Sequence, residues 1–225
     1  MNLVGIETAT TACAVGVRTS QGVEATLVAD TERRHNEVLA VTIAALLERC
    51  ALKVRDVDRV VVDRGPGLFT GLRVGVATAI GLSRALGCEL VSVTSLELLA
   101  HGAHDAGVRG TLVACVDARR GEIFVQTFEL GDEVLVARPP EVATARDVVI
   151  EWATNGAPVI FSGDGVTRYH ADFAAVANAA LYSQDVPSMH AALALGSHRA
   201  PESVVTPLYL RDADAVANFA TRERS

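Results

Sequence analysis

The sequence predicts an α/β protein built from two related lobes. Three observations carry this expectation. Short β-branched runs alternate with longer helix-period stretches along the 225 residues. The order of three strands, helix, strand, helix occurs twice, which reads as an internal repeat. Half of the residues are apolar and 21% are charged. That supplies a real core and excludes a disordered or fibrous chain.

In the first half, Leu3–Glu7, Ala12–Arg18 and Val23–Ala29 read as strands joined by short polar or glycine-containing turns. Helix-period sequence follows from Asn36 to Cys50. The run Asp58-Arg59-Val60-Val61-Val62-Asp63 reads as a buried strand, because apolar residues without alternation need cover on both faces. A long helix opens near Thr70 and ends near Leu86, Glu89–Val93 is a strand, and Ser95 caps a short helix ending near Ala100. In the second half, Thr111–Asp117 and Glu122–Phe128 pair across Ala118-Arg119-Arg120-Gly121. A third strand near Val134–Ala137 is ended by Pro139-Pro140. Thr144 caps a helix to about Thr154, and Pro158–Phe161 is a strand before Gly163-Asp164-Gly165. The Ala-rich stretch from Ala174 to Ala194 has no readable period. The small, polar stretch His101–Gly110 marks the boundary, giving domains of 1–104 and 105–225.

Composition narrows the function. With 27 acidic against 20 basic residues the net charge is −7. This weighs against autonomous nucleic-acid binding, which draws its affinity from Lys and Arg on phosphates. Only 4% of residues are aromatic, leaving little to stack on exposed bases. No run approaches the roughly 18 apolar residues of a membrane span. The first basic residue is Arg18, so no secretory signal is expected. Cys13, Cys50, Cys88 and Cys115 are scattered without a CxxC pair and read as reduced core thiols of a cytoplasmic protein.

The most unusual segment is Asp63-Arg64-Gly65-Pro66-Gly67-Leu68-Phe69-Thr70-Gly71-Leu72-Arg73-Val74-Gly75. A glycine-rich loop between strand and helix is a place for backbone N–H groups to hold phosphate. Here the spacing fits neither GxxxxGK[ST] nor GxGxxG: no Lys is present, and Thr70 stands where a third Gly belongs. The helix that follows is apolar all round, with Arg73 and Arg84 its only charges, and such a helix must be covered. Gly67, Gly71, Gly75 and Ala79 recur every four residues, as do Ala77, Gly81 and Ala85, and small-residue stripes admit another backbone closely. The helix at Asn36–Cys50 is broadly apolar as well (Val38, Leu39, Val41, Ile43, Leu46, Leu47), with Arg33-Arg34-His35 leading in. Two such helices read either as interior or as a contiguous patch for another protein, and the patch is the favoured reading.

Candidate chemistry is sparser. Glu7 and Asp117 end corresponding strands of the two lobes and could position a cation or water, or simply sit in polar turns. The hydroxyls of Thr8, Thr10 and Thr11 and the turn Gly163-Asp164-Gly165 have the same two readings, nucleotide contact or plain turn. His101 and His104 with Asp105 lack a third or fourth ligand at metal spacing, so no metal is expected. No GxSxG elbow exists and no Cys has a visible His partner, which leaves nucleophilic hydrolysis without support.

Several motifs together carry a family resemblance. They are Gly5-Ile6-Glu7-Thr8-Ala9-Thr10 with Cys13-Ala14-Val15, Arg34-His35, the Gly65–Gly75 block, Val116-Asp117-Ala118-Arg119-Arg120-Gly121-Glu122 and Pro207-Leu208-Tyr209-Leu210-Arg211. In this order they resemble the bacterial TsaB (YeaZ) family over nearly the whole chain. The resemblance implies a duplicated, actin-like ASKHA (RNase H-like) fold, each lobe a mixed sheet with flanking helices. It implies a role in making N6-threonylcarbamoyladenosine at position 37 of tRNAs that read ANN codons. In that system TsaD transfers the threonylcarbamoyl group from threonylcarbamoyl-AMP, TsaB is a non-catalytic partner of TsaD, and TsaE joins as an ATPase. tRNA is then met only through the complex, and TsaB self-associates where TsaD is absent. The family interface uses the first two helices. Carried over residue by residue, it comprises His35, Val38, Leu39, Thr42, Ile43, Leu46, Arg73, Val74, Ala77, Thr78, Gly81 and Arg84. Candidate nucleotide contacts are Glu7, Thr8, Thr10, Asp117, Gly163 and Gly165, with no cofactor of the chain's own and ATP with magnesium only at the level of the complex. The sequence departs from the family with Glu7 in place of Asp and Leu68 in place of Ser. The HxxxH metal motif of TsaD has no counterpart in Thr94-Ser95-Leu96-Glu97-Leu98-Leu99. The competing expectation is an ATP-using enzyme of the same fold, a small kinase or ATPase with Glu7 and Asp117 positioning magnesium. A peptidase finds no metal or nucleophile signature.

Overall fold

The computed structural model describes residues 1–29 and 35–211. Arg33 and Arg34 of the basic lead-in, and everything from Asp212 onward, lie outside the described residues. The first sheet comprises β1 (Leu3–Glu7), β2 (Cys13–Arg18), β3 (Glu24–Ala29), β4 (Arg59–Asp63) and β5 (Glu89–Val93), in the order β3-β2-β1-β4-β5. Strands β1, β4 and β5 run parallel; β2 is antiparallel to β1, and β3, antiparallel to β2, runs the same way as β1. The second sheet repeats this plan with β6 (Gly110–Arg119), β7 (Glu122–Leu130), β8 (Val134–Val136), β10 (Val159–Ser162) and β11 (Ala179–Tyr182), in the order β8-β7-β6-β10-β11. The third strand is split here, because β9 (Glu141–Thr144) also pairs with β7 beyond the two prolines. Identical strand order in two consecutive halves is the structural form of the repeat seen in the sequence.

The helices make the layers. Helices α1 (His35–Arg49) and α2 (Phe69–Leu86) cover one face of the first sheet. Helices α4 (Ala145–Asn155), α5 (Asp164–Arg168) and α6 (His170–Ala174) cover the outer face of the second. Between the sheets lie α3 (Ser95–Asp105) and α7 (Met189–His198). Leu96, Leu99, Ala100 and Ala103 of α3 pack on the second sheet, and Ala191, Ala192 and Leu193 of α7 on the first. Thus α7 lies beyond residue 105 in sequence but returns to the first sheet. The Ala-rich stretch Ala174–Ala194 has no single period because it holds the end of α6, the strand β11 and the start of α7, and α7, covered on both sides, has no polar face.

Local chemistry sets the helix ends. Thr94, not Ser95, caps α3, accepting from Glu97 N while Glu97 accepts from Thr94 N, and the helix runs past Ala100 to Asp105. Ser95 instead turns inward to donate to Asp63 Oδ1 at 3.0 Å. Thr144 caps α4 as expected, and Gly87 and Gly156 close α2 and α4 in the left-handed conformation that glycine adopts without steric cost. After α7, residues 200–211 form a strap across the molecule. Glu202 accepts from Ser92 N and Oγ, Leu208 N donates to Arg64 O at 2.7 Å, and Arg211 pairs with Glu122 of the second sheet at 2.6 Å. Buried Arg59 donates to Gly196 O, and Arg199 makes a two-pronged pair with Glu97 at 2.9 and 2.7 Å. The strap and these two arginines fasten α7 and both lobes together.

Candidate functional site

The first candidate is the cleft floor at the ends of β1, β4 and β6. Glu7 is fully buried, and its Oε1 accepts from Thr10 N at 2.9 Å and Thr10 Oγ1 at 3.1 Å. Asp63 follows the Ile6–Val62 pair on the neighbouring strand, as Glu7 does on its own. Asp63 Oδ1 accepts from Gly65 N and Ser95 Oγ, while Glu7 Oε2 and Asp63 Oδ2 have no partner among the described residues. Burial, with the Asp63 charge added, pushes Glu7 up to about 8, and burial pushes Asp63 up to about 7. Glu7 is therefore uncharged at neutral pH. Sealed at 0% exposure beneath the Thr8–Thr10 turn, its carboxyl does not open on the cleft.

The glycine stripe explains how this floor is closed. A Cβ at Gly67 would lie 2.1 Å from Ala9 O, at Gly71 1.9 Å from Thr8 O, and at Gly75 2.3 Å from Thr8 Oγ1. Leu68 N donates to Ala9 O at 2.6 Å, and Thr8 Oγ1 donates to Gly71 O at 2.8 Å. The first stripe thus admits the chain's own β1–β2 turn, and the α2 N-terminus presses on the residues a phosphate loop would use. Across the cleft, Asp117 is held by Arg119 at 3.1 Å and Arg168 at 3.4 Å, and its N–H donates to Asp164 Oδ1. Gly163 and Gly165 pack on the Cys115 carbonyl, where a Cβ at Gly163 would come within 2.0 Å. These residues do not fit a magnesium nucleotide. Among the described residues no group of three or more His, Cys, Asp or Glu is arranged to hold a metal. His104 Nε2 meets Gly131 O at 3.1 Å, and His101 faces a cavity between the lobes.

The second candidate is the outer face of α1 and α2. The residues of the expected patch divide between the two sides of these helices. Leu39, Thr42, Ile43 and Leu46 point inward, Leu39 at 2% and Leu46 at 0% exposure, within the core of the first lobe. With every side of α1 apolar, the sequence could not distinguish its inward from its outward side. Outward instead are Ala40, Val41, Ala44 and Ala45, with Val41 69% exposed and Val38 half-buried. On α2 the exposed residues include Arg73, Ala77, Gly81, Arg84 and Ala85, with Val74 and Thr78 half-buried. A Cβ at Gly81 would meet nothing within 4 Å. The second small-residue stripe therefore faces outward, as do the alanines of α1. His35 ties the start of α1 to Ala12 O at 2.9 Å, and with Thr70 and Val74 it borders a groove of about 410 Å³. Arg73 stacks on Phe69 at 3.7 Å and its Nε donates to Tyr209 Oη, so the strap holds it at the edge of this face.

Two lobes of one topology, each with the β1-type strand at its centre and helices sandwiched between the sheets, define a duplicated ASKHA-like protein. Known proteins agree. YeaZ from Pseudomonas aeruginosa superposes with a TM-score of 0.75 at 26% identity, over 87% of this chain and 90% of that one. A second Pseudomonas aeruginosa structure, described as similar to peptidase YEAZ, gives 0.78 at 24% identity over 93% and 99%. TsaB from Escherichia coli is 30% identical over 167 residues, 69% of this chain and 71% of that protein. TsaB from Bacillus subtilis is 27% identical over 169 residues, 72% and 71%. The family model described as TsaD, tRNA N6-adenosine threonylcarbamoyltransferase, matches residues 27–219. The chain belongs to the TsaB (YeaZ) family, within the wider family that this model describes. Among the described residues no helix is long and apolar enough to cross a membrane.

Proposed function

We propose that this chain is a non-catalytic subunit of the machinery that makes threonylcarbamoyladenosine on tRNA, and that it docks on TsaD through the outer face of α1 and α2. The names of its relatives supply the pathway. The observation that carries the docking reading is the exposed row Ala77, Gly81 and Ala85 of α2, together with exposed Ala40, Val41 and Ala44 of the α1 helix packed against it, which no described element of the chain covers. Small residues on two adjacent helices let a partner's helices approach to backbone distance. In this arrangement the chain adds no reacting group. Ser95 and Leu99 stand where TsaD is expected to carry its two histidines, and neither can ligate a metal as imidazole does. TsaE and tRNA join through the complex, and a second copy of the chain competes for the same face. The ATP-using reading is disfavoured, because Glu7 is sealed from the cleft and Asp117 is already engaged by two arginines.

The test is native mass spectrometry of the chain with TsaD from the same organism, comparing wild type with Ala77→Arg. Ala77 is exposed, so the variant keeps its fold and its melting temperature. Wild type is expected to form a one-to-one heterodimer, and the variant to lose it. An Ala77→Arg variant that binds TsaD as tightly as wild type removes the docking reading.

A further inference from the structure

The layer between the lobes leaves a cavity of about 470 Å³ where α3 parts from the second sheet. It lies away from the cleft floor: Ser95 and Leu99 are fully buried, whereas Thr94, Glu97 and His101 line the cavity. The charges around it can be followed one by one. Glu97 and Arg199 neutralise each other in their two-pronged pair. Burial lowers the His101 pKa, so its imidazole is neutral at pH 7. Glu202, in an adjoining cavity, is taken by Ser92. That leaves Arg64, which reaches in from the β4–α2 loop, is half-buried and makes no side-chain hydrogen bond or ion pair among the described residues. Gln126 of β7 also lines the cavity, at 9% exposure, and its amide makes no hydrogen bond among the described residues. The remaining wall is apolar, with Phe128 of β7, Val136 of β8 and Leu208 of the strap.

The half-buried guanidinium and the neighbouring amide both keep free donors turned to this cavity, a donor set without a protein acceptor among the described residues. One uncompensated positive charge calls for a monoanion. The planar fork of Arg matches a carboxylate, and the volume lies within the ordinary range of small-molecule sites. We propose that this cavity binds a small monocarboxylate with an apolar body. The carboxylate would sit on Arg64, with the Gln126 amide as a further donor and the body against Phe128 and Leu208.

The experiment titrates isotope-labelled full-length protein with phenylbutyrate and with its uncharged match, phenylbutanol, following backbone amide shifts by NMR. The acid is expected to shift residues 94–101 and 126–128 and to bind at least about tenfold tighter than the alcohol, the scale of one charge-assisted hydrogen-bond pair. Arg64→Gln is expected to erase that preference. Val136→Trp, made on an edge strand where the side chain is 63% exposed, is expected to plug the cavity and abolish binding of both. Three results overturn the proposal: no saturable shift at about 10 mM acid, shifts confined to other surfaces, or an acid preference that survives Arg64→Gln. Should Arg64→Gln lose the native spectrum, Val136→Trp decides: unchanged acid binding in that variant refutes the site.

Discussion

Replacing Glu7 by Gln removes a charge that the native state must otherwise suppress. Glu7 titrates near 4.5 when unfolded and near 8 when folded, because burial and then the Asp63 charge disfavour its ionised form. Below pH 4.5 both states hold the proton and the carboxyl costs nothing. Between 4.5 and 8 the folded state binds more protons than the unfolded one, so stability falls as pH rises, by at most about 1.4 kcal/mol per pH unit for one proton. The full penalty is reached above pH 8. For Glu7 it is on the order of 2–5 kcal/mol, the upper end being the rigid limit and the lower end allowing for local relaxation. Glutamine keeps an oxygen to accept from Thr10 N and Oγ1 and stays neutral throughout. Urea unfolding at pH 5, 6.5 and 8 measures this. The stability advantage of Glu7→Gln over wild type is expected to grow across the series; Asp63, which faces Glu7, ionises more easily in the variant and adds to the difference, while carboxyls remote from Glu7, Asp164 among them at about 6, contribute equally to both proteins. Stability curves that run parallel with pH would refute the argument that Glu7 is a suppressed charge.

Two further predictions separate inward from outward residues on the same helices. Gly71→Ala places a Cβ within 1.9 Å of Thr8 O and should lower stability by more than about 2 kcal/mol. Gly81→Ala meets nothing and should raise it by about 0.5–1 kcal/mol through helix propensity, both read by calorimetry. Leu39→Ala is expected to cost about 2–5 kcal/mol as a core cavity, whereas Val41→Ser, one residue pair further on, should stay within about 0.5 kcal/mol. Equal denaturant midpoints for those two variants would contradict the assigned orientation of α1.

The elements best legible in the sequence were those whose environment differs between their two sides or is uniform over a short run. The valines of β4 and the Thr144 cap are of this kind. The orientation of α1 and α2 was not legible, because both helices are apolar all round and periodicity needs a contrast. Glycines at 67, 71 and 75 announce that a backbone comes close, but they do not say whose; here it is the chain's own Thr8–Ala9 turn. Asp63 carried no signal as a partner of Glu7 until parallel register placed β1 beside β4. The strap, with Tyr209 on Phe69 and Arg73, joins residues too far apart in sequence for any local pattern to mark them.

The position of α7 bears on how the protein comes into being. Its residues Ala191, Ala192 and Leu193 cover the face of the first sheet made by Leu3, Ala14 and Val61. Gly196 sits so tightly on Val61 that a Cβ there would come within 2.3 Å. A ribosome therefore releases residues 1–104 long before the helix that seals them has been made. During that interval the first sheet presents one apolar face to whatever is near, chaperone or neighbouring chain. The amino-terminal lobe completes its folding only when α7 (Met189–His198), far beyond residue 104, arrives, so the lobe expressed alone should be insoluble, and adding a peptide that spans α7 is the direct way to rescue it.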